Sequence, residues 1–404
     1  MYRSGIPAPV IVAGARTAVG RAFKGSLRDT TAMDLARVVV EEVVRRSGLD
    51  AALVDDVILA ESNYGGGDLA RHAAVEAGML QVPGQAVNRH CAGSLTAIGD
   101  AAAVIAAGAE RAVVAGGVES TSTAPVQRFR VPGTEDSFEE RWMSPSHPDI
   151  PEAPNRDMSL TVGWNTAREV GITREEMDAW AARSHQRAIA AIDAGAFTEE
   201  IVPVRALRPD GSFTDFAVDE HPRRDTGVEK LAGLKVLHPE IEDFSITAGN
   251  AAGLNDGAAA VVVADSAFAA EQGLTVLAEI RAWAATAIEP ARTGVAVLDV
   301  IPKVLRRAGL DVSDIALWEI NEAFASVPVA ACKKLGIDEE LVNTAGSGCS
   351  LGHPVAASGA RMVVTLLHEL RRRGGGYGVA AMCAGGGQAG AVVLHVPGER
   401  RQTA

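Results

Sequence analysis

A cysteine at position 91 stands where a loop leads into a helix, and its thiol could do covalent chemistry. Residues 85–87 form a short extended run before it, and apolar residues from Leu95 to Ile105 follow at helical spacing. A thiol at a helix N-terminus has a lowered pKa, and the thiolate is the reactive form. The placement predicts a reactive cysteine. A buried structural cysteine is the alternative that this segment alone leaves open.

Three later motifs carry polar groups that suit acyl transfer. Asn321 follows a predicted strand, and its side-chain amide could hold an oxyanion or a water, although a turn or cap residue is the alternative. His353 lies in a Gly-His-Pro turn ahead of a predicted helix, which positions its imidazole. Cys383 ends another predicted strand, and the glycine turn 385–387 after it exposes backbone N–H groups that could bind negative charge.

The chain repeats itself at an interval of roughly 260 residues, which is typical of a duplicated unit. The helix after Cys91 corresponds to the helix after His353, so a pseudo-two-fold fold would bring Cys91, His353 and Cys383 into one pocket. The other corresponding segments are 45–50 with 306–311, the predicted strand 54–60 with 313–320, and the predicted strand 112–117 with 378–383.

Between residues 123 and 252 the composition changes, because ten of the 18 prolines lie there and charged residues are denser. We therefore predict a layered α/β fold made of two duplicated halves, with an inserted loop domain in the first half. The predicted boundaries are 1–122 with 253–273 for the N-terminal half, 123–252 for the inserted loop domain that binds substrate, and 274–404 for the C-terminal half.

Local signals within this plan are specific enough to test. An apolar strand is predicted at 10–13, followed by a polar turn at 14–17. An amphipathic helix is predicted at 32–47, closed by Gly48. A further helix is predicted from Thr173 to Ala194, with Thr173 as N-cap and Glu176 at its third helical position.

The bulk composition excludes several classes of function. A net charge of −13 argues against a non-specific nucleic-acid surface, so an anionic ligand would need local arginines or lysines. No apolar run reaches membrane-spanning length, and residues 1–5 lack the apolar core of a signal peptide. Four scattered cysteines suit neither a disulfide framework nor a zinc site. We expect a cytoplasmic protein with reduced thiols and no bound metal.

Taken together and in order, the motifs resemble those of the thiolase family, which comprises acetyl-CoA acetyltransferases and 3-ketoacyl-CoA thiolases. The resemblance covers essentially the whole chain, and it implies the thiolase-like form of the layered fold. The matching stretches are Asn88-Arg89-His90-Cys91, Thr247-Ala248-Gly249-Asn250, Asn255-Asp256-Gly257-Ala258, Asn321-Glu322-Ala323-Phe324, Gly352-His353-Pro354 and Cys383-Ala384-Gly385-Gly386-Gly387.

The resemblance implies a role for each catalytic residue. Cys91 would be the nucleophile that becomes acylated, and His353 would activate it and help to polarise the substrate carbonyl. Asn321 would hold a water in a first oxyanion hole, and the backbone N–H groups of Cys91 and Gly385 would form a second. Cys383 would be the acid/base that moves the α-proton in Claisen condensation and in its reverse.

The resemblance also implies the binding residues and partners. Arg223 matches a position against the nucleotide end of coenzyme A, which would be a substrate, so no cofactor is expected. Acyl-CoA and CoA would be the partners, and the protein would be a homodimer or homotetramer. The remaining predicted substrate- and CoA-binding residues are Met158, Ala248, Gly249, Ala252 and Phe324.

This sequence departs from the family pattern near the predicted binding residues. Many members have His-Met-Gly where this chain has Asp157-Met158-Ser159, and the glutamate that follows is replaced by Gly163. A serine facing the pantetheine is replaced by Ala252, and the glycine after Gly-His-Pro is replaced by Ala356. None of these positions carries a predicted catalytic group, so the departures bear on acyl preference.

The predicted function is reversible acyl transfer between CoA thioesters through an acyl-Cys91 intermediate. A β-ketoacyl synthase-like condensing enzyme is one alternative, against which the second cysteine at 383 argues. A Cys/His thioesterase is another, which would need only Cys91 and His353 and would release free acid.

Overall fold

The computed structural model describes residues 8–64, 68–141, 145–208 and 210–398, so the segment 1–5 lies outside the described residues. The strands are β1 (Pro9–Thr17), β2 (Gly20–Arg21), β3 (Asp56–Ala60), β4 (Gly84–Val87), β5 (Ala112–Ser120), β6 (Gln127–Arg130), β7 (Phe138–Arg141), β8 (Ile201–Val202), β9 (Val204–Leu207), β10 (Phe213–Phe216), β11 (Asn255–Asp265), β12 (Ala278–Ala287), β13 (Ile315–Ile320), β14 (Gly376–Ala384) and β15 (Gln388–Val396).

The α-helices alternate with these strands in both halves. They are α1 (Ala32–Ser47), α2 (Asp68–Glu76), α3 (Gly93–Ala106), α4 (Asn165–Val170), α5 (Arg174–Asp193), α6 (Val228–Ala232), α7 (Ser266–Glu271), α8 (Val297–Ala308), α9 (Ser326–Leu335), α10 (Gly348–Leu351) and α11 (Ser358–Arg372). A π-helical segment, Ser159–Trp164, leads directly into α4. Within the described ranges, no helix is both long enough and apolar enough to span a membrane.

The main sheet has the strand order β13-β14-β15-β12-β1-β11-β5-β3-β4, with β2 beside β11 and β8 beside β1. The set β3-β5-β11-β1 repeats the set β13-β14-β15-β12, since the first pair of each is parallel and the next two pairs are antiparallel. The two sets meet where Val10 and Ile11 pair with Glu279 and Ala278. The predicted duplication of an α/β unit is confirmed.

Alternate residues of the strands face opposite layers of helices. In β1, Ile11 packs with the inner helices α3 and α11, whereas Val10 and Val12 pack with the outer helices α1 and α2. The second half repeats this arrangement with α8 and α9 as its outer helices. The inner helices meet near their N-termini, where the Ser94 hydroxyl accepts a 2.9 Å hydrogen bond from the N–H of Ala360.

The capping signals in the sequence placed two helices correctly. Helix α1 begins after Thr31, which forms a capping box with Asp34, and ends at Gly48 with φ of 71°. Helix α5 begins after Thr173, whose side chain accepts the N–H of Glu176 in a second capping box. Both predicted helices are confirmed, since side chains within a few residues satisfy their first N–H groups.

The strand predicted at 10–13 is confirmed, but the turn predicted at 14–17 is wrong, because β1 continues to Thr17. Arg16 is fully buried and donates two hydrogen bonds to Asp219, at 2.8 and 2.9 Å, and one to Glu200 at 2.7 Å. A buried charge is tolerated when it is paired and hydrogen-bonded. Since these partners lie 184 and 203 residues away in the sequence, the local pattern did not reveal them.

The segment between β5 and β11 contributes little to the main sheet. Its described part holds the hairpins β6–β7 and β9–β10, the helices α4 to α6 and the short strand β8. Of these elements, β8 is the one that joins the main sheet, where it pairs with β1. The domain boundaries given above remain predictions.

Gly117 on β5 provides a test of how tightly the two halves fit. A Cβ at this position would overlap the carbonyl oxygen of Ala356 and lie 3.0 Å from Ser94 Cβ. We expect Gly117→Ala to destabilise the fold by about 1–3 kcal/mol, because the backbone of the His353 loop must move. Gly233→Ala is the matched control, since its Cβ meets nothing nearer than 3.6 Å. Equal urea midpoints for both variants would contradict the prediction.

Candidate active site

A cavity of about 780 Å³ is lined by residues from both halves and from the segment between β5 and β11. Asn321 does not line this cavity but is fully buried beside His353, which does, with its Nδ2 3.4 Å from the Nε2 of that imidazole. Most of the residues predicted to be catalytic or substrate-binding line the cavity directly: Cys91, Met158, Ala252, Phe324, His353, Cys383 and Gly385. The structure therefore brings the predicted catalytic groups together.

Three predicted binding residues lie elsewhere. Arg223 is exposed, and its backbone N–H donates to His185 Nδ1 at 3.1 Å. Ala248 is also exposed, and Gly249 donates its N–H to the hydroxyl of Thr247 at 3.1 Å. None of the three is among the residues that line the cavity. Any contact with coenzyme A at these positions would fall outside it.

Cys91 lies between β4 and α3, one residue before the N-cap Ala92, and is partly exposed in the cavity. Burial raises the pKa of its thiol to about 11, although the backbone N–H groups of Gly385 and of Cys91 itself favour the thiolate. The lowered pKa expected from the helix N-terminus is therefore wrong. Desolvation outweighs the helix dipole here, so the thiol needs a base to become a nucleophile.

His353 lines the same cavity as Cys91 and carries an imidazole that can act as that base. Its backbone N–H donates to Asn255 Oδ1 at 2.9 Å, and the preceding Gly352 has φ of 99°, which favours glycine. Its Nδ1 lies 2.6 Å from the hydroxyl of Ser358, which itself donates to the carbonyl of Pro354 at 2.8 Å. A hydroxyl that donates there accepts from Nδ1–H, which leaves Nε2, beside Asn321 Nδ2, unprotonated and able to take a proton.

The imidazole is neutral in the resting site. Burial lowers the pKa of His353 to about 4, and the positive charge of Arg361 adds to this effect. Since the pKa of the Cys91 thiol is raised, thiol and imidazole both stay uncharged at neutral pH. Proton transfer would accompany attack rather than precede it.

These pKa shifts predict an unusual pH dependence for the thiol. We expect the rate of alkylation of Cys91 by iodoacetamide to rise throughout the range from about pH 6 to about pH 10, without the levelling near 8.5 of an ordinary thiol. Mass spectrometry of the Cys91 peptide gives this rate separately from the other cysteines. A plateau below about pH 8 would contradict the prediction, because it would indicate a thiolate–imidazolium pair.

Asn321 follows β13, where its N–H donates to the carbonyl of Ala381 at 3.0 Å. Its Oδ1 is buried without a hydrogen-bond partner, as expected of an atom placed to receive one from a water or a ligand. The next residue, Glu322, is fully buried and accepts hydrogen bonds from Trp180, Ser184 and the N–H of Cys349. This carboxylate anchors the segment that carries Asn321.

Cys383 lies near the end of β14 and is almost completely buried. Burial raises the pKa of its thiol, and the neighbouring Cys91 raises it further. The turn after it is held by Thr293, whose hydroxyl accepts the N–H of Gly387 at 2.9 Å. The backbone N–H of Gly385 in this turn favours the Cys91 thiolate, so the glycine turn acts on the nucleophile.

Sequence reasoning missed Glu119, which is fully buried at the end of β5. It accepts hydrogen bonds from Ser62, from Asn63 at 3.1 Å and from the N–H of Ala356 at 3.3 Å. Burial raises its pKa to about 7 despite these bonds, and its charge disfavours the Cys91 thiolate. The sequence signal that could have identified Glu119 is a carboxylate near the end of the otherwise apolar strand β5.

The charged side chains that line the cavity are Glu140 and Arg156, neither of which was singled out from the sequence. Arg156 is exposed and provides positive charge in the cavity wall of an acidic protein. Among the residues that the structure describes, no group of three or more His, Cys, Asp or Glu side chains could hold a metal ion.

Comparison with known proteins agrees with this arrangement. Family models described as "Thiolase, N-terminal domain" and "Thiolase, C-terminal domain" match residues 9–267 and 274–396. The chain is 40% identical to an acetyl-CoA acetyltransferase of Pseudomonas aeruginosa over 398 residues, which cover 95% of this chain and 98% of that protein.

Solved structures show the same likeness. The crystal structure of the Bacillus anthracis acetyl-CoA acetyltransferase matches with a TM-score of 0.89 and 37% identity, covering 98% of this chain and 100% of that one. The crystal structure of human mitochondrial 3-ketoacyl-CoA thiolase matches with a TM-score of 0.86 and 33% identity, covering 96% of this chain and 99% of that one.

The fold and the cavity thus define an acyltransferase built on two duplicated α/β halves. The chain belongs to the thiolase family and has thiolase function. This finding favours the thiolase interpretation over the condensing-enzyme and thioesterase alternatives.

Proposed function

We propose that this thiolase transfers acyl groups between CoA thioesters in two ping-pong steps, with Cys91 as the residue that becomes acylated. The observation that carries the proposal is the convergence of Cys91, His353, Cys383 and Gly385 on one cavity. In the first step the Cys91 sulfur attacks the thioester carbonyl while His353 Nε2 takes the thiol proton. The N–H groups of Cys91 and Gly385 stabilise the oxyanion, and CoA leaves with the proton of Cys383, which becomes a thiolate.

The second step forms or breaks a carbon–carbon bond. In condensation, Cys383 as thiolate removes the α-proton of a second acyl-CoA. The carbanion attacks the acyl-Cys91 carbonyl, and the Cys91 sulfur leaves as the new bond forms and regains the proton held by His353. Asn321, through a bound water, and His353 stabilise the enolate oxygen. Thiolysis is the reverse, with Cys383 returning the proton to carbon.

Coenzyme A enters this scheme as a substrate. The apolar walls from Met158, Ala252 and Phe324 suit the pantetheine arm and the acyl chain, and Arg156 suits an anionic end. The relatives are called acetyl-CoA acetyltransferase and 3-ketoacyl-CoA thiolase, and we propose one of these activities here. The departures from the family pattern at Asp157, Gly163 and Ala252 bear on which of these two activities the protein has.

The test measures the rate of thiolysis of acetoacetyl-CoA and of longer 3-ketoacyl-CoA substrates. Mass spectrometry of the protein after incubation with each acyl-CoA identifies the acylated residue. Activity confined to acetoacetyl-CoA would make the protein an acetyl-CoA acetyltransferase, whereas activity that rises with chain length would make it a 3-ketoacyl-CoA thiolase. Acylation at a residue other than Cys91, or none, would overturn the proposed mechanism.

We further propose a cytoplasmic homodimer or homotetramer. The strand β4 lies at one end of the sheet and pairs with β3 alone among the described strands, so its free edge is available to a second copy. Light scattering with size-exclusion chromatography would test this, and a monomer at micromolar concentration would contradict it.

A further inference from the structure

Asp157, Ser159 and Gly163 lie within one short stretch of the chain beside the cavity, and Asp157 and Ser159 are joined by hydrogen bonds. Asp157 Oδ1 accepts hydrogen bonds from the N–H of Ser159 at 3.0 Å and from its hydroxyl at 2.6 Å. The π-helical segment begins at this bonded pair, and Met158 between the two residues lines the cavity. The Asp157 carboxylate therefore fixes the turn that presents Met158 to a substrate.

The second oxygen of the same carboxylate reaches a different segment. Asp157 Oδ2 lies 2.7 Å from Nε2 of His238, and the other ring nitrogen lies 2.8 Å from Glu240. The ring also packs edge-on against Phe244, with centroids 4.9 Å apart. His238 is thus held between two carboxylates and an aromatic face.

The segment that carries His238 returns toward the cavity. The N–H of Leu237 donates to the carbonyl of Ile246 at 2.9 Å, and Val236 pairs with Thr247. Ala252, which lies five residues after Thr247, lines the same cavity as Met158. The contact between Asp157 and His238 therefore joins the two segments that supply these neighbouring parts of the wall.

Gly163 allows the two segments to lie close together. A Cβ at this position would come within 2.9 Å of both Ile246 and Phe324. A larger side chain there would not fit this packing. Asp157, Ser159 and Gly163 therefore support the same close contact between the two segments.

We propose that Asp157 and His238 are a positioning pair that sets the width of the substrate cavity between Met158 and Ala252, and so sets specificity for the acyl-CoA. This inference rests on the proposed function. Neither side chain lines the cavity, so the pair acts through its neighbours rather than on the reacting atoms. Loosening it should weaken substrate binding and leave the chemistry at Cys91 and Cys383 unchanged.

The charge on His238 makes the pair sensitive to pH. Its hydrogen bond to Glu240 raises its pKa, partial burial opposes the rise, and the charge and hydrogen bond of Asp157 add to it. Protonated His238 is the form that pairs with both carboxylates. The pair is therefore strongest below this raised pKa and weakens as the pH rises through it.

The test compares Asp157→Asn, His238→Gln and the double variant by steady-state thiolysis of acetoacetyl-CoA and a longer 3-ketoacyl-CoA. We expect KM to rise roughly threefold to tenfold in each single variant, because a partly exposed, charge-assisted contact is lost, with kcat within about twofold of wild type. The double variant should match the single ones, since both remove the same interaction. The ratio of variant to wild-type KM should fall as the pH rises from about 5.5 to about 8.5.

Asp193→Asn is the matched control, because Asp193 pairs with Arg224 at 2.6 Å on the surface at the end of α5. It should leave KM unchanged. Unchanged KM in both single variants, additive effects in the double variant, or a fall in kcat with constant KM would overturn the inference. Failure of the wild-type protein to become acylated at Cys91 would instead overturn the proposed function, so the two failures are distinguishable.

Discussion

Replacement of Cys91 by alanine is expected to abolish acyl-enzyme formation and to lower acyl transfer by at least roughly 10³-fold. The substitution removes the sulfur to which the acyl group would be attached. The backbone N–H groups that favour the thiolate act on the Cys91 thiol. The backbone N–H of Gly385 favours the Cys91 thiolate, whereas Cys349 is buried with its Sγ 3.6 Å from the carbonyl of Glu322.

The measurement is intact-protein mass spectrometry after incubation with acyl-CoA, alongside the thiolysis rate. Cys332→Ala is the control, because Cys332 is a partly exposed cysteine in α9 that does not line the cavity. It should acylate and turn over like wild type. An acylated Cys91→Ala protein would show that another residue is the nucleophile.

Replacement of Cys383 by alanine is expected to separate the two steps. The Cys91 thiol, His353 and the N–H of Gly385 remain, so acylation should persist at a reduced rate. Claisen condensation and thiolysis should fall by roughly 10²- to 10⁴-fold, because no acid/base group is left to move the α-proton. Exchange of labelled CoA into acyl-CoA reports acyl transfer, and formation of 3-ketoacyl-CoA reports the carbon–carbon step.

A loss of packing at this buried position could lower both rates through instability. Cys383→Ser keeps the size of the side chain but offers a far weaker acid than a thiol. It should therefore fold like wild type and still lose the carbon–carbon step. A full condensation rate in either variant would show that Cys383 does not move the α-proton, and equal losses in exchange and condensation would show that it is needed for acylation too.

The linear sequence was informative wherever a short-range signal decides the structure. The amphipathic pattern closed by Gly48 placed α1. The capping signal at Thr173 placed α5, because the N–H that its side chain accepts lies three residues away. The repeat of roughly 260 residues revealed the duplication, since equal patterns fold into equal units. That repeat also predicted that the segments bearing Cys91 and His353 would meet.

Long-range packing decided what the local pattern could not. Arg16 was expected in a turn because it is charged, yet Asp219 and Glu200 allow it to be buried in a strand. The thiol of Cys91 was expected to have a lowered pKa, yet desolvation by the surrounding halves raises it. Both errors have one cause, since burial and distant partners do not appear in a window of neighbouring residues.

From the sequence alone we identified several of the helices and strands, the duplicated plan and the residues able to do acyl-transfer chemistry. Only the tertiary structure decided their protonation, the contacts of Ser358 with His353 and of Glu119 with the His353 loop, and the pairing of Asp157 with His238. These depend on groups brought together from distant positions. Their energies follow from burial and distance, which are properties of the folded chain.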